Sequence, residues 1–481
     1  MTTRVETPQS RGRAAFARAD ITPPPGIYHR MWGAALHEQA TGVHRPLTAT
    51  AALLEAEDGG GRLLVVGLDH CLLEAVETAA ICARVRDASG IPPEQIHVAL
   101  SHTHGSAWLS RARAHLPGGD LIGPYLDRVA EVCGTLAGRV INSTVPATVV
   151  YGTARCSLAA HRDFFDAATN QVVCGFNPGG PADDTVLVAK AVSDAGVTLG
   201  TVVNYACHPT TLAWQNTLVS PDYVGAMREV VERETGAPCL FLQGASGDLG
   251  PREGFVGDPA VADRNGRQLG FAALSGLEAL PPPGTAFEYA GPVVSGATLG
   301  PWAHRPVSAA ERSRQATWSS RRWEEPLPYR VDLPTLDQTR AEQARWEKEE
   351  DDARRADDAV RVRDAHAQVE RMVRQTVRLA ALPAGKAYPL PMAVWRLGDA
   401  LWVFTAGELY QSFQTALRAR FPGMAVVVAT ICDDWQPGYL PPASGYGYGI
   451  YQEVIAAVGP GCLEALTETV TRTCRALAGG E

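Results

Sequence analysis

Short runs rich in β-branched and aliphatic residues recur along the chain, and most of them stop abruptly at polar residues capable of chemistry. Leu63–Leu68 runs into Asp69-His70, Ile96–Leu100 into Ser101-His102-Thr103-His104, and Leu199–Tyr205 into Cys207-His208. Leu240–Leu242 leads to Gly247-Asp248, and Leu401–Thr405 to Gly407-Glu408. Runs this short predict buried strands, as do Val186–Val192 and Ala425–Ala429. Helical segments lie between them, among them Asp222–Glu234 with Ser220 as N-cap ahead of Pro221. This alternation predicts an α/β (mixed α+β) fold, with central mixed β-sheets flanked by helices. Polar residues at the C-terminal ends of successive strands can converge on one sheet edge, where such folds build their sites.

At 481 residues with 46% hydrophobic composition, the chain is long enough to bury a sizeable core. Its net charge of −9 supplies no basic field to attract phosphates, which excludes nucleic acid and an anionic membrane as expected partners. No apolar run is long enough for a membrane span, and the polar, Arg-rich Met1–Arg18 does not read as a secretory signal. The ten cysteines are scattered singly, as expected of reduced thiols in a cytoplasmic protein. Residues 1–13 are expected to form a disordered tail, and 14–481 a single catalytic domain. Gly59-Gly60-Gly61 is expected to be a hairpin turn. A helical insertion is expected around 308–380. Within it, Arg340–Arg378 has 20 charged residues in 39, with a thin stripe of Val362, His366, Val369, Val373 and Val377. That pattern predicts an exposed helix on the domain surface.

His102-Thr-His104 is the centre of the chemical argument. In an extended chain, residues i and i+2 share a face, so both imidazoles could address one metal or one substrate. Such pairs also occur as hydrogen-bonded loop histidines. With His208 and Glu408 at other strand ends, the metal and loop readings stand level. Asp69-His70 is equally readable as a satisfied core pair, and Cys207 as a small buried residue. The glycine-rich loop Phe241–Pro251 lacks the Lys-Ser/Thr of a phosphate loop, and no Gly-x-Ser-x-Gly elbow occurs. The Gly- and Tyr-rich stretch from Asp433 through Tyr451 can present phenols as a wall of a site.

Taken in order, these segments resemble the N-terminal catalytic domain of the neutral (non-lysosomal) ceramidase family. The resemblance rests on Ala19-Asp-Ile-Thr, Gly42-Val-His44, His102-Thr-His104 and His161-Arg162-Asp163. It continues through Asn204-Tyr-Ala-Cys-His208, Ser220-Pro-Asp222 with Gly225, and Gly247-Asp248-Leu-Gly250-Pro251. Gly407-Glu408 and Asp434-Trp-x-x-Gly-Tyr439, with Tyr451 twelve residues later, complete it. The resemblance implies one Zn2+ per chain, held by His102, His208, Glu408 and Tyr439. It implies a catalytic set of His104, Arg162, Tyr451 and Asp248, with His104 polarising the scissile carbonyl. Arg162 and Tyr451 would contact substrate, and the loops of Trp108 and Tyr446 would supply pocket walls.

The chain also departs from the family. Gly250 stands where the family has a serine, which leaves attack by metal-bound water as the expected mechanism. Gly105-Ser-Ala-Trp108 replaces the family's Gly-Pro-Gly-Gly, and no C-terminal immunoglobulin-like domain is expected after Tyr451. The expected function is therefore a zinc-dependent hydrolase that cleaves a non-peptide amide bond of a small soluble acylated amine. An ester, lactone or other C–O bond is the alternative substrate, and a non-catalytic ligand-binding relative is the second alternative. Whether the chain forms a homo-oligomer stays open.

Overall fold

A computed structural model describes residues 3–479. Its largest element is an eight-stranded sheet. In chain order the strands are β1 (Gln9–Asp20), β2 (Thr48–Glu55), β3 (Arg62–Leu68), β4 (Ile96–Leu100), β5 (Val145–Arg155), β6 (Thr185–Ser193), β7 (Thr198–Tyr205) and β8 (Cys239–Gln243). Their spatial order is β8-β7-β6-β5-β1-β2-β3-β4. The two terminal pairs, β3–β4 and β7–β8, are parallel, and the other neighbours are antiparallel. Helices α1 (Ala75–Ser89) and α2 (Ile122–Ile141) cover one half of a face, and α3 (Tyr223–Thr235) and α4 (Pro259–Glu278) the other half. The parallel pairs need crossover connections, and α1 and α3 provide them.

A second sheet, in the order β9 (Trp318–Pro328), β10 (Ala387–Leu397), β11 (Ala400–Thr405) and β12 (Ala425–Ala429), packs on the opposite face. The period-2 pattern is plain in β11. Trp402 and Phe404 face the large sheet, while Leu401 and Val403 face outward. The helical hairpin α5 (Leu336–Arg355) and α6 (Ala359–Ala381) lies between β9 and β10 in the chain. The outward face of the second sheet is covered by α7 (Gln411–Arg420) and α8 (Cys462–Ala478), through residues such as Phe413, Leu417, Leu466 and Val470. The layers therefore run helix, sheet, sheet, helix. Trp402 is fully buried between the sheets, and its indole N–H donates to Tyr151 Oη at 3.3 Å.

The large sheet curls until its two edges approach each other. A Cβ at Gly67 in β3 would lie 2.5 Å from Leu240 Cδ1 in β8, so any side chain there would have to displace that leucine. The chain leaving β12 fills the remaining gap. Thr430 N–H donates to the Gln243 carbonyl at 2.9 Å, and Asp433 N–H donates to Val98 at 2.8 Å. The Asp433 carboxylate also accepts from Val98 N–H and meets His97 Nδ1, each at 2.9 Å. This closure brings together strand ends that are far apart in sheet order.

Several sequence expectations need correction. Residues 9–13 of the expected N-terminal tail belong to β1, which pairs with both β2 and β5 inside the sheet. The 308–380 segment is not wholly helical, since it contains β9. Its charged stretch is two helices broken near residues 356–358 rather than one. Helix α3 is capped by Asp222, whose carboxylate accepts from Tyr223 N–H, while Ser220 Oγ accepts from Asp222 N–H. Gly59-Gly60-Gly61 does form the β2–β3 turn. Among the described residues, no helix is long and apolar enough to cross a membrane.

Candidate metal centre

Three side chains from three different strand ends meet behind the curled sheet. His102 follows β4, His208 follows β7, and Glu408 follows β11. His102 Nε2 lies 3.1 Å from His208 Nε2, and Glu408 Oε2 lies 3.3 Å and 3.0 Å from them respectively. All three side chains are buried. Each histidine is oriented from behind: His102 Nδ1 is 2.8 Å from the Cys71 carbonyl, and His208 Nδ1 is 2.8 Å from the Ser246 carbonyl. A carbonyl only accepts, so both Nδ1 atoms donate and both Nε2 lone pairs point at the carboxylate. Three acceptors this close repel one another unless a cation sits among them. Two histidines and one carboxylate, each held by a backbone contact, are a donor set that suits zinc and several other divalent ions.

The local backbone is unusual where it has to aim these groups. His102 has φ +64°, a left-handed conformation that swings its ring off the strand direction. The extended-chain argument for His102 and His104 therefore does not describe their arrangement. Their rings meet edge to face at 5.0 Å, and His104 opens a short helical turn. Glu408 is held by its N–H, which donates to the Gly438 carbonyl at 2.8 Å, and it pairs in parallel with Tyr439. That pairing brings Tyr439 Oη to 3.3 Å from His208 Nε2.

Electrostatics differ sharply among these neighbours. Burial disfavours charge on His102, but Cys71 and Glu408 beside it hold its pKa well above the ordinary value, so the positive charge this cluster calls for is met either by a proton on Nε2 or by an ion that displaces it. Burial lowers His208 to about 3, helped by the nearby Arg162 guanidinium. Burial, with His102 and His208 alongside, keeps His104 well below the usual range and hence neutral. Both ring nitrogens of His104 are buried without a partner. Burial also keeps the Tyr439 phenol protonated, although Arg162 pulls the other way.

A cavity of about 370 Å³ opens in front of these groups, lined by His104, Arg162, Tyr439 and Tyr451. A smaller chamber of about 60 Å³ continues to His102, Glu408 and Trp108. Arg162 donates from Nε and Nη2 to the Gly247 carbonyl at 3.1 and 2.6 Å, and its guanidinium lies 5.4 Å from the Tyr439 ring centre.

Two expected site residues are not brought to the cavity. The Asp248 carboxylate accepts from Gln411 N–H and Nε2, both at 2.8 Å, and so caps α7. Tyr446 points its hydroxyl at the Val458 carbonyl at 2.9 Å. The Asp69-His70 pair also has structural partners. Arg228 grips Asp69 at 2.8 and 2.9 Å, and His70 meets Tyr125 Oη at 2.9 Å. Cys207 is buried in the core beneath α3. A Cβ at Gly250 would find its nearest neighbours, in Arg162 and Thr210, at 3.8 Å, so the loop has room for a side chain it does not carry.

Sequence reasoning missed part of the cavity lining. Met31 and Trp32 come from loops without motif character, and Arg374 and Arg378 come from the charged helix α6. The one available signal was the spacing of Arg371, Arg374 and Arg378, three and four apart on a single helix face.

The chain matches no protein-family model. It is 26% identical over 256 residues to a neutral ceramidase of Oryza sativa subsp. japonica, a match covering 48% of this chain and 30% of that protein. It is 27% identical over 236 residues to neutral ceramidase 2 of Arabidopsis thaliana, covering 44% and 29% respectively. These matches thus span less than a third of each curated relative's length. The fold superposes on the crystal structure of neutral ceramidase from Pseudomonas aeruginosa with a TM-score of 0.64 at 16% identity, covering 98% of this chain and 75% of that one. A ceramidase complexed with C2 gives a TM-score of 0.66 at 16% identity and the same coverage. Over about half its length in sequence, and over nearly all of it in fold, the chain is similar to neutral ceramidases.

Proposed function

We propose that the chain is a zinc-dependent hydrolase that cleaves the non-peptide amide C–N bond of a small acylated amine. The observation that carries this reading is the facing of two histidine lone pairs and one carboxylate oxygen at 3.0–3.3 Å. The likeness to neutral ceramidases, named for an amide-cleaving activity, supports the choice of bond. His102, His208 and Glu408 would hold the ion, with the Tyr439 hydroxyl beside His208. When bound, zinc supplies Lewis-acid polarisation of a carbonyl and a water acidic enough to react near neutral pH.

The remaining roles fall to the chain's own side chains. His104 is neutral and has no protein partner, so it can hydrogen-bond the scissile carbonyl or relay to the departing amine the proton that the attacking water gives up. The Tyr451 hydroxyl and Arg162 line the same cavity and can orient the acyl group. With glycine at position 250, no side chain there can form an acyl intermediate, so hydrolysis in a single displacement by water is the version this chain allows.

Elemental analysis of the purified protein beside His208→Ala tests the reading, together with a panel of acyl amines and matched esters. The expected result is about one zinc per chain, lost in the variant, with amides cleaved and kcat/KM falling by at least about 1,000-fold on substitution. Failure of the wild type to hold zinc even when supplied, or full activity in His208→Ala, would overturn it. Cleavage of the esters alone would reassign the bond and keep the metal.

A further inference from the structure

The cavity in front of the histidines has two unlike walls. On one side Trp32 packs edge-on against Trp214 and Phe255, with ring centres 6.2 and 5.7 Å away. Adjoining it, α6 presents Arg371, Arg374 and Arg378. Arg374 and Arg378 also line the smaller chamber that reaches His102 and Glu408. The cationic wall is therefore adjacent to the groups proposed to act on the scissile bond.

These arginines are poorly neutralised by protein. Among the described residues, Glu370 is the one carboxylate lining the larger cavity, where it is already shared, and Glu408 in the smaller chamber is taken up by His102 and His208. Glu370 accepts from Arg113 Nη2 at 2.6 Å and from Arg374 Nε at 2.9 Å. Arg374 spends its other contact on the Met31 carbonyl at 2.6 Å. Arg371 reaches only the Gln368 amide oxygen, at 3.4 Å. Arg378 donates to the Gln375 amide oxygen, and its Nε is buried with no partner. Burial pulls the Arg378 pKa down to about 10, with Tyr451 and Glu408 opposing and the neighbouring Arg374 and Arg371 adding to it. Arg162 adds a further positive charge whose hydrogen bonds are taken by a backbone carbonyl rather than an acid. A guanidinium held in a cavity whose carboxylates are already shared is incompletely compensated, and its planar fork matches a carboxylate or phosphate.

We infer that the molecule this cavity receives carries an anionic oxygen group, a carboxylate or a phosphate, seated on Arg378 and Arg374, with its apolar part against Trp32, Trp214 and Phe255. The inference rests on the hydrolase reading and names its substrate class. An acylated amine whose amine half bears an acid is the simplest molecule with both parts, an acylated amino acid being one example. The anion would sit within the chamber next to the scissile amide, and the acyl chain would extend along the indoles.

Calorimetric titration of the purified, zinc-loaded protein with octanoate, octyl phosphate and octanamide tests this. The expected result is that the tighter-binding anion exceeds the neutral amide by about tenfold or more, and that anion's identity names the group. The ratio should fall to within about twofold in Arg378→Gln and be partly restored in Arg378→Lys, which keeps the charge without the fork, and this dependence separates the arginine from any contact of the anion with the metal. Octanamide binding as tightly as both anions would overturn the inference, as would an anion preference unchanged in Arg378→Gln. If Arg378→Gln does not fold, Arg374→Gln takes its place, and an anion preference left unchanged there overturns the inference. Because the readout is binding, a protein that prefers the anions but cleaves no acyl amine would sink the hydrolase reading alone.

Discussion

The wall that carries His102, His208 and Glu408 grows from strands whose residues are buried throughout β4 and β11. The wall facing it, α6, buries only Ala365, Glu370 and Gln375 among its 23 residues, two of them polar. The first is held by the interdigitation of two sheets. The second is held at a few points: Val377 against Met31 and Trp108, the Arg113–Glu370–Arg374 cluster, and Arg374 on the Met31 carbonyl. The difference teaches where precision is stored. Groups that must stay within tenths of an ångström are anchored in the core, whereas the α6 wall, proposed to recognise what enters, stands on a more weakly packed surface element.

The largest effect that would break or sharpen this contrast is a pair of tryptophan truncations. Trp402→Ala between the sheets should lower stability by about 3–5 kcal/mol, and Trp346→Ala on the exposed hairpin by less than about 1 kcal/mol. Urea midpoints measure both, and equal losses would erase the distinction. A smaller effect concerns acid. Burial lowers the His70 pKa to about 4 from 6.5, against the opposing pull of Asp69. The folded state therefore favours neutral His70, and its contribution of up to about 3 kcal/mol is present above pH 6.5 and lost as pH falls toward 4. His70→Gln should flatten that part of a plot of urea midpoint against pH, and an unchanged slope would refute the assignment. The smallest effect is at the hairpin's own start, where Thr335 and Gln338 form a capping box. Thr335→Ala should cost about 1 kcal/mol, seen as faster amide exchange in α5 with β10–β12 unaffected. Faster exchange in the sheets as well would mean that the two walls unfold as one unit.

Much of the fold was legible wherever a strand is apolar on both faces. Ile96–Leu100 and Ala425–Ala429 were read to the residue, because strands buried between layers must be continuously apolar. β1 was not legible. Its sequence, QSRGRAAFARAD, has no β-branched residue, and its place inside the sheet is set by pairing with β2 and β5. β2, TATAALLE, has a local preference closer to helix that tertiary pairing overrides. At the candidate site, the strand-end rule pointed to His102, His208 and Glu408, and the structure brings those three together. The same rule misjudged Asp248, because a carboxylate after a strand can equally cap the next helix, as it does at Gln411. Arg374 and Arg378 were illegible for a plainer reason. A charged helix face looks alike in sequence whether it meets solvent or overhangs a cavity.

The placement of the α5–α6 hairpin bears on how such a site can change over time. β9 and β10 pair antiparallel along their whole length, and Pro328 and Ala387 lie opposite each other where the hairpin leaves and returns. Everything from residue 329 to 386 is thus a loop whose two ends the sheet already holds side by side. Lengthening, shortening or exchanging such a loop adds little closure entropy, since each doubling of length adds only about 0.6 kcal/mol. New selectivity could therefore be grafted onto this scaffold, by descent or by design, as a replaceable cassette that leaves the histidines and glutamate where they are.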